Sequence, residues 1–286
     1  MASLQDIRRR IKSVKNIQKI TNAMNMVAAS RLRRAKENAI NNRPFAKKLE
    51  EVVKEIAGNA VNVKHPLLES REEGKKLLIV MASDKGLAGA YSSNVMKEAL
   101  NHIEDKTNTE IVAVGRKTNV FFKNRGYNVS KSFTGFSERP KFEFAKAISD
   151  FVTSRFKDGD VKEVVLIYSR FVSAITCIPE PIELLPFKRE EAEEESKSTF
   201  KAEYIYEPSA EEVFTTLLPQ YMESAIYAAM LQAAASELSS RQNAMSNATD
   251  NAGELIQKLD LHYNKVRQAG ITNEINEIVG GANALA

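Results

Sequence analysis

A single cysteine, Cys177, stands in the 286 residues. That excludes an intrachain disulfide framework, a CxxC pair and a thiolate zinc site. The lone thiol, set in a β-rich run, reads as a small core residue. The three histidines, His65, His102 and His262, have no ligand-spaced companions, so no metal centre is expected. No run of about 18 apolar residues occurs, so no segment reads as a membrane span. The start, Met1-Ala2-Ser3-Leu4-Gln5-Asp6, has no apolar h-region. The basic amphipathic pattern behind it continues for about 50 residues, too long for a targeting segment. The compartment of synthesis is therefore expected. Neither phosphate-loop spacing is present, GxxxxGKS/T or GxGxxG, and no GxSxG elbow appears. No active site is expected on this chain. At 43% hydrophobic and 27% charged residues the composition is that of a soluble globular protein, not a disordered one.

Glycine is missing over one long stretch and proline over another. Residues 3–57 hold no glycine and one proline, Pro44. Leu4, Ile7, Ile11 and Val14 step by three, four and three, a heptad seam. It continues less cleanly through Ile17, Ile20, Met24, Val27, Leu32 and Ala35, and resumes after Pro44 with Leu49, Val52, Val53 and Ile56. The spacing predicts a very long helix, with a kink near Pro44 and a stop at Gly58. At the other end, Ser209-Ala210-Glu211-Glu212 reads as a capping box, and no proline follows Pro219. A helix from there to Gly280 would be about 90 Å long, far beyond an ordinary core helix. It is alanine-rich around Ala225–Ala235, then carries a seam through Leu238, Met245, Ala248, Ala252, Leu255, Leu259, His262 and Val266. Its tip, Gly280-Gly281-Ala282-Asn283-Ala284-Leu285-Ala286, is small and uncharged.

Between the two the period changes. Leu77–Met81 is a continuous apolar run, the mark of a buried strand. Strands over 111–114, 127–130, 164–168 and 174–178 alternate with helices near 91–105, 117–125 and 142–157. The expected fold is α/β: a long antiparallel coiled coil of the N- and C-terminal helices (1–58 and 209–286), with a Rossmann-like α/β domain (75–187) inserted between them. Residues 188–208 read as an acidic linker, Glu190–Lys197, and a short strand. The expected product is a rod with a knob on one side.

Charge is unevenly placed: +10 over residues 1–54, −5 over 209–286 and −1 between them. Opposite ends attract if the helices run side by side. Nucleic acid is disfavoured as the partner of the basic end, because no aromatic residue interleaves its cations. The loop Ser83-Asp84-Lys85-Gly86-Leu87-Ala88-Gly89 sits between strand and helix, and its sequence reads as a tight turn or protein contact, with Asp84 and Lys85 as contact candidates. Polar residues break the seams of the long helices at Lys19, Thr21, Asn22, Arg241, Gln242, Asn247, Arg267, Gln268, Thr272 and Glu274. Two readings remain from these features: a mechanical coupling shaft, or an α/β regulatory or nucleotide-binding module with a coiled-coil dimerisation stalk.

Five motifs resemble one family. Ile20-Thr21-Asn22-Ala23-Met24-Asn25-Met26-Val27-Ala28-Ala29-Ser30, Ser83–Gly89, Tyr204-Ile205-Tyr206-Glu207-Pro208, Ala244–Ala252 and Tyr263–Ala282 are similar to segments of the gamma subunits of F-type ATP synthases. The resemblance implies a non-catalytic rotor, one copy per complex and not a homo-oligomer. Its partners would be the alpha and beta subunits of a catalytic hexamer, an epsilon subunit and a membrane-embedded c-ring. ATP, ADP and Mg would sit on partner subunits and no cofactor on this chain. By the same resemblance Arg241, Arg267, Gln268, Thr272 and Glu274 would face the head, with Lys19 and Met24 at the adjoining level. Tyr204, Tyr206 and Glu207 would contact the ring. Ala88 stands where many members carry cysteine, and the cysteine-bearing insert of chloroplast members is absent. Thiol regulation is therefore not expected, and with no transit segment the chain looks bacterial, placed peripherally on the cytoplasmic face of the cell membrane.

Overall fold

The computed structural model describes residues 4–59, 65–187, 207 and 209–285. The elements in chain order are α1 (Leu4–Asn59), a 3-10 turn (Pro66–Leu68), β1 (Lys75–Met81), α2 (Tyr91–Asn101), β2 (Thr109–Val114), α3 (Arg116–Asn124), β3 (Asn128–Phe133), α4 (Phe142–Lys157), β4 (Val161–Phe171), β5 (Cys177–Leu185) and α5 (Ala210–Leu285). They form two compact units, Met1–Ala28 with Arg241–Ala286, and Ala29–Ser240.

In the first unit α1 and α5 run antiparallel. Thr249 donates its hydroxyl to Thr21 Oγ1 at 2.8 Å. Gln18 covers Gly253, its Nε2 3.1 Å from where a Cβ would stand. Arg8 lies over the Tyr263 ring. The α1 partner falls from 21 to 18 to 8 as the α5 partner rises from 249 to 253 to 263, which is the signature of antiparallel register. Ile7, Ile11, Ala28, Met245, Ala252 and Ile256 are buried apolar residues of this unit. Ile7 to Ile11 and Ala252 to Ile256 are steps of four, and Met245 to Ala252 is a full heptad, as a coiled-coil seam requires.

The second unit is built on a five-stranded sheet of order β3-β2-β1-β4-β5. β1 through β4 are mutually parallel; β5 returns antiparallel to β4. The short link between β4 and β5 dictates that, since a parallel return needs a crossover of a dozen residues or more. Strand β1 is buried on both faces, so its run of apolar residues needs no alternation. Leu77, Ile79 and Met81 face a cluster containing Val53 and Ile56 of α1, Ile148 and Val152 of α4, and Leu218, Met222 and Ile226 of α5. Leu78 and Val80 face Val95 and Ala99 of α2 and Phe122 of α3. In this unit, too, the long helices pair: Leu32 and Ala35 pack with Ala235 and Leu238.

The long helices run as expected through their prolines, and other expectations change in detail. α1 passes Pro44 as one continuous helix. The missing amide costs about 3 kcal/mol in a helix interior, and the burial of Val53 and Ile56 beyond it offsets that. α5 likewise begins at Ala210 and runs through Pro219, which has fully buried Leu218 and Met222 close by. Its start is capped as the sequence indicates: Glu212 N donates to Ser209 Oγ at 3.2 Å. The last strand lies later than 174–178, because it continues through Pro179 and Pro181. Proline is tolerated there because β5 is an edge strand, with one side of its backbone open. Cys177 opens that edge strand and is only partly buried, its thiol 3.9 Å from Ser236 O, so it is not a core residue. The serines after the alanine-rich stretch dock α5 on the β4–β5 hairpin. Ser236 Oγ donates to Ser169 O at 2.9 Å and Ser239 Oγ to Ala174 O at 2.6 Å.

At the amino edge of the sheet, Glu110 is 3% exposed on β2. It accepts from Lys75 Nζ and Arg155 Nη2, both at 2.9 Å, and Arg155 also holds Asp160 at 2.8 Å. Burial alone raises the Glu110 carboxyl, but the two hydrogen-bonded cations outweigh it and hold it below the ordinary value. A depressed folded value means stability present above the unfolded pKa of about 4.3, and lost as pH falls through the folded value. Glu110→Gln should therefore flatten the acid limb of the stability curve below about pH 4.3, read by denaturant unfolding against pH. At the carboxyl edge, Gly115 has φ +98, and a Cβ there would lie 2.1 Å from Ala82 O. Gly115→Ala is expected to cost about 3 kcal/mol or more, seen as a lowered thermal midpoint.

Candidate partner-contact surfaces

The loop between β1 and α2 is fixed by one carboxylate. Asp84 accepts from the amides of Arg116 at 3.0 Å, Gly135 at 2.8 Å and Ser137 at 3.0 Å. Its own amide donates to Ser137 Oγ at 3.1 Å. One side chain thus ties together the loops that follow β1, β2 and β3. Burial pushes the Asp84 carboxyl up. The amides of Ser137, Gly135 and Arg116, with the Ser137 hydroxyl, outweigh that and hold it below the usual aspartate value. Asp84 is therefore turned inward, and its carboxylate holds the loop together instead of facing a partner. Lys85 points out, but lies 3.6 Å from Glu138, which also binds Arg31.

The residue of this loop that sequence reasoning passed over is Leu87. It has φ +64, the one positive φ outside glycine among the described residues. It is also 62% exposed. An apolar side chain in the left-handed region gives no signal in a hydropathy pattern. Beside it a groove of about 470 Å³ runs between α2 and α3, with Met96, Val120 and Phe121 along it and Lys85, Lys117 and Arg125 on its rim.

The other candidate positions lie on the long helices. Lys19 is exposed on α1, two residues before Thr21, and Met24 is half-buried three residues after it. Both therefore flank the Thr21–Thr249 rung. Arg241 is 6% exposed, so its guanidinium lies within the fold. Arg267, Gln268, Thr272 and Glu274 are all exposed on α5. Thr272 spends its hydroxyl on Gln268 O at 3.0 Å. The helix brings these four together with apolar residues on one half of its surface. Arg267, Ile271, Glu274 and Ile278 follow in steps of four, three and four; Gln268, Thr272, Ile275 and Val279 do the same beside them. The opposite half carries Ala269, Gly270, Asn273, Asn276 and Glu277.

The antiparallel register explains why this segment is bare. Arg8 meets Tyr263, so the first residue of α1, Leu4, falls opposite about residue 267. Past that point the described part of α1 supplies no partner. Every described residue from Ile271 to Asn283 is exposed, Ile278 at 71%. Glu207 is exposed as well. Tyr204 and Tyr206 lie outside the described residues. Among the described residues no three His, Cys, Asp or Glu side chains converge on a point that would hold a metal. No described helix is long and apolar enough to cross a membrane. His65 is structural, since its Nδ1 accepts from Leu67 N at 3.2 Å and caps the 3-10 turn.

A family model described as ATP synthase matches residues 3–285. The ATP synthase gamma chain of Desulforamulus reducens is 46% identical over 285 residues, covering all of both chains. That of Pelotomaculum thermopropionicum is 44% identical over 286 residues, again covering both chains in full. Among solved structures, a chain from the central stalk and c-ring of the Tetrahymena thermophila mitochondrial ATP synthase superposes with a TM-score of 0.63 at 27% identity. It covers 80% of this chain and 99% of that one. A rotor chain of the Euglena gracilis mitochondrial ATP synthase shares the fold at 18% identity, with a TM-score of 0.66 and coverage of 94% and 98%. Two helices of this length around a β3-β2-β1-β4-β5 sheet, matched end to end by such relatives, place the chain in the ATP synthase gamma-chain family.

Proposed function

We propose that the chain is the central rotor shaft of a proton-translocating F-type ATP synthase and carries out no chemistry itself. In this reading, ring rotation driven by protons turns the shaft, and the shaft forces each catalytic beta subunit through states of different nucleotide affinity. Partners are the alpha and beta subunits, an epsilon subunit and the c-ring; nucleotide and Mg sit on the partners. The complex lies on the cytoplasmic face of the membrane. The segments 1–58 and 209–286 are the shaft, 75–187 the foot, and 188–208 the connection between foot and shaft.

The observation that carries the reading is the bare end of α5. Ile271, Ile275, Ile278 and Val279 are exposed on one face of a single helix, next to Arg267, Gln268, Thr272 and Glu274. A lone helix exposing such a stripe in water gains nothing from it, so a surrounding sleeve is the simplest explanation. Apolar residues give the sleeve a low-friction steric contact, and the polar four supply directional hydrogen bonds that break and reform on turning. The α1–α5 pairing within one chain already fills the seam that a dimerisation stalk would need. Lys19 and Met24 take the head-side positions above this end, Arg241 stays within the fold beside them, and Tyr204, Tyr206 and Glu207 take the ring-side positions.

The purified chain is expected to show no ATPase activity and to restore proton-coupled synthesis to a membrane-bound synthase depleted of this subunit. Intrinsic turnover, or stoichiometric ATP binding by a chain that sediments as a tight dimer, would overturn the reading. Truncation after Val279 should be tolerated better than Arg267→Ala with Gln268→Ala. The double variant is expected to lose about tenfold in coupled rate, because it removes charge-assisted hydrogen bonds and not only steric contact. Equal losses in torque would count against this division of labour.

A further inference from the structure

We infer that both long helices are gripped at one level, α1 by Glu138 and α5 through Ser236 and Ser239, and that this collar carries torque from the sheet into the shaft, a refinement that rests on the rotor reading. The helix pairing sets the level. Leu32 and Ala35 pack with Ala235 and Leu238, so in antiparallel register Arg31 lies level with about Ser239. On the α5 side, Ser236 and Ser239 give their hydroxyls to Ser169 O and Ala174 O of the β4–β5 hairpin. On the α1 side, the Arg31 guanidinium donates to Glu138, in the loop that follows β3. Strands β3 and β5 are the two borders of the sheet. The ties therefore reach the helix pair from opposite borders. Two separated holds resist twist, where a single one would act as a pivot.

Each hold is stiffened by its own surroundings. Glu138 stands between Ser137, whose amide donates to Asp84, and Arg139, whose amide donates to Phe136 O at 3.0 Å. Phe136 stacks on Phe144 behind them, with ring centroids 4.2 Å apart. The Glu138 side chain is 13% exposed, and Lys85 at 3.6 Å adds a second cation. That makes a small shielded network, not a lone surface bridge of little consequence. The hairpin tip is fixed by Ser173, whose Oγ accepts from Ile175 N at 3.3 Å and Thr176 N at 3.0 Å. The position along the chain also fits. Val53 and Ile56 sink into the core of the sheet, about 33 Å along α1 from Arg31. Towards the other end, the compact unit that holds the sheet begins at Ala29 on α1 and ends at Ser240 on α5. Arg31 and Ser239 are within one turn of those limits. Twist arising in that unit leaves it through these turns, and the collar holds both. Arg31, Glu138, Ser236 and Ser239 are thus positioning residues that need touch no partner subunit.

The test uses the assembled synthase with the full-length chain, its head fixed to a surface and a bead on the c-ring. At a catalytic pause, the thermal angular variance of the bead is inversely proportional to the stiffness of the path between them. Arg31→Met keeps a helix-forming stem and removes the cation, and Ser239→Ala removes the hydroxyl. Each alone is expected to raise the variance by less than about twofold, and the two together by about threefold or more, because each hold covers for the loss of the other. Arg31→Lys keeps a cation within reach of Glu138 and should match the parent. The purified Arg31→Met chain is expected to melt within about 4 °C of the parent, since a part-exposed ion pair adds little to global stability. A midpoint lower by about 10 °C or more assigns the pair to folding and overturns the collar. So does a double variant as stiff as the parent, or a rise in Arg31→Lys equal to that in Arg31→Met. If the bead on the parent complex does not turn with ATP, the rotor reading falls and the collar with it. If the parent turns and the double variant stays stiff, the collar alone falls.

Discussion

No helix can bury its own apolar stripe, and a helix as long as α5 has to find a new cover every few turns. Most of the architecture follows from how that is met. Leu218, Met222, Ile226 and Met230 lie in the core shared with the sheet. The next turns use hydroxyls and an amide: Gln232, Ser236 and Ser239 satisfy Phe171 N, Ser169 O and Ala174 O at the hairpin. Then α1 takes over, through Thr21 opposite Thr249 and Gln18 over Gly253. Only the last stretch is left without a cover of its own, and that is the stretch richest in exposed isoleucine.

The two long helices were legible because their signals are redundant: heptad spacing in both, no glycine over residues 3–57 and a capping serine before α5. How they tolerate Pro44 and Pro219 was not legible, because local cost is visible in a sequence while the compensating burial of Val53, Ile56, Leu218 and Met222 depends on partners far away in the chain. The parallel core was readable from Leu77–Met81. The bounds of β5 were not, since proline argues against a strand until the strand is known to lie at an edge. The same division runs through the contact residues. Arg267, Gln268, Thr272 and Glu274 could be picked out as polar breaks in a seam, and they do share one half of a bare helix. Asp84 looked like a surface contact because its sequence neighbours are loop formers. Only the fold brings the amides of Arg116, Gly135 and Ser137 to it. Leu87 left no trace, since φ is not a property of hydropathy.

The sheet is clamped at its two ends by carboxylates of opposite style. Glu110 is held by side-chain cations, Lys75 of β1 and Arg155 of α4, in a cluster that depends on ionisation. Asp84 is held by backbone amides, which cannot titrate and cannot rotate away. The amide-bound end is the one that presents an exposed loop, and rigidity there lets a small surface resist displacement when force is applied to it.

The prolines of β5 have a further consequence. Pro179 and Pro181 are two residues apart, so the amides they lack lie on one side of the strand, and the intact ladder to β4 puts that side outward. The β5 border of the sheet therefore presents too few donors to accept another strand. A further strand is thus kept from adding to the sheet at β5, which leaves β3, a strand without proline, as its other edge.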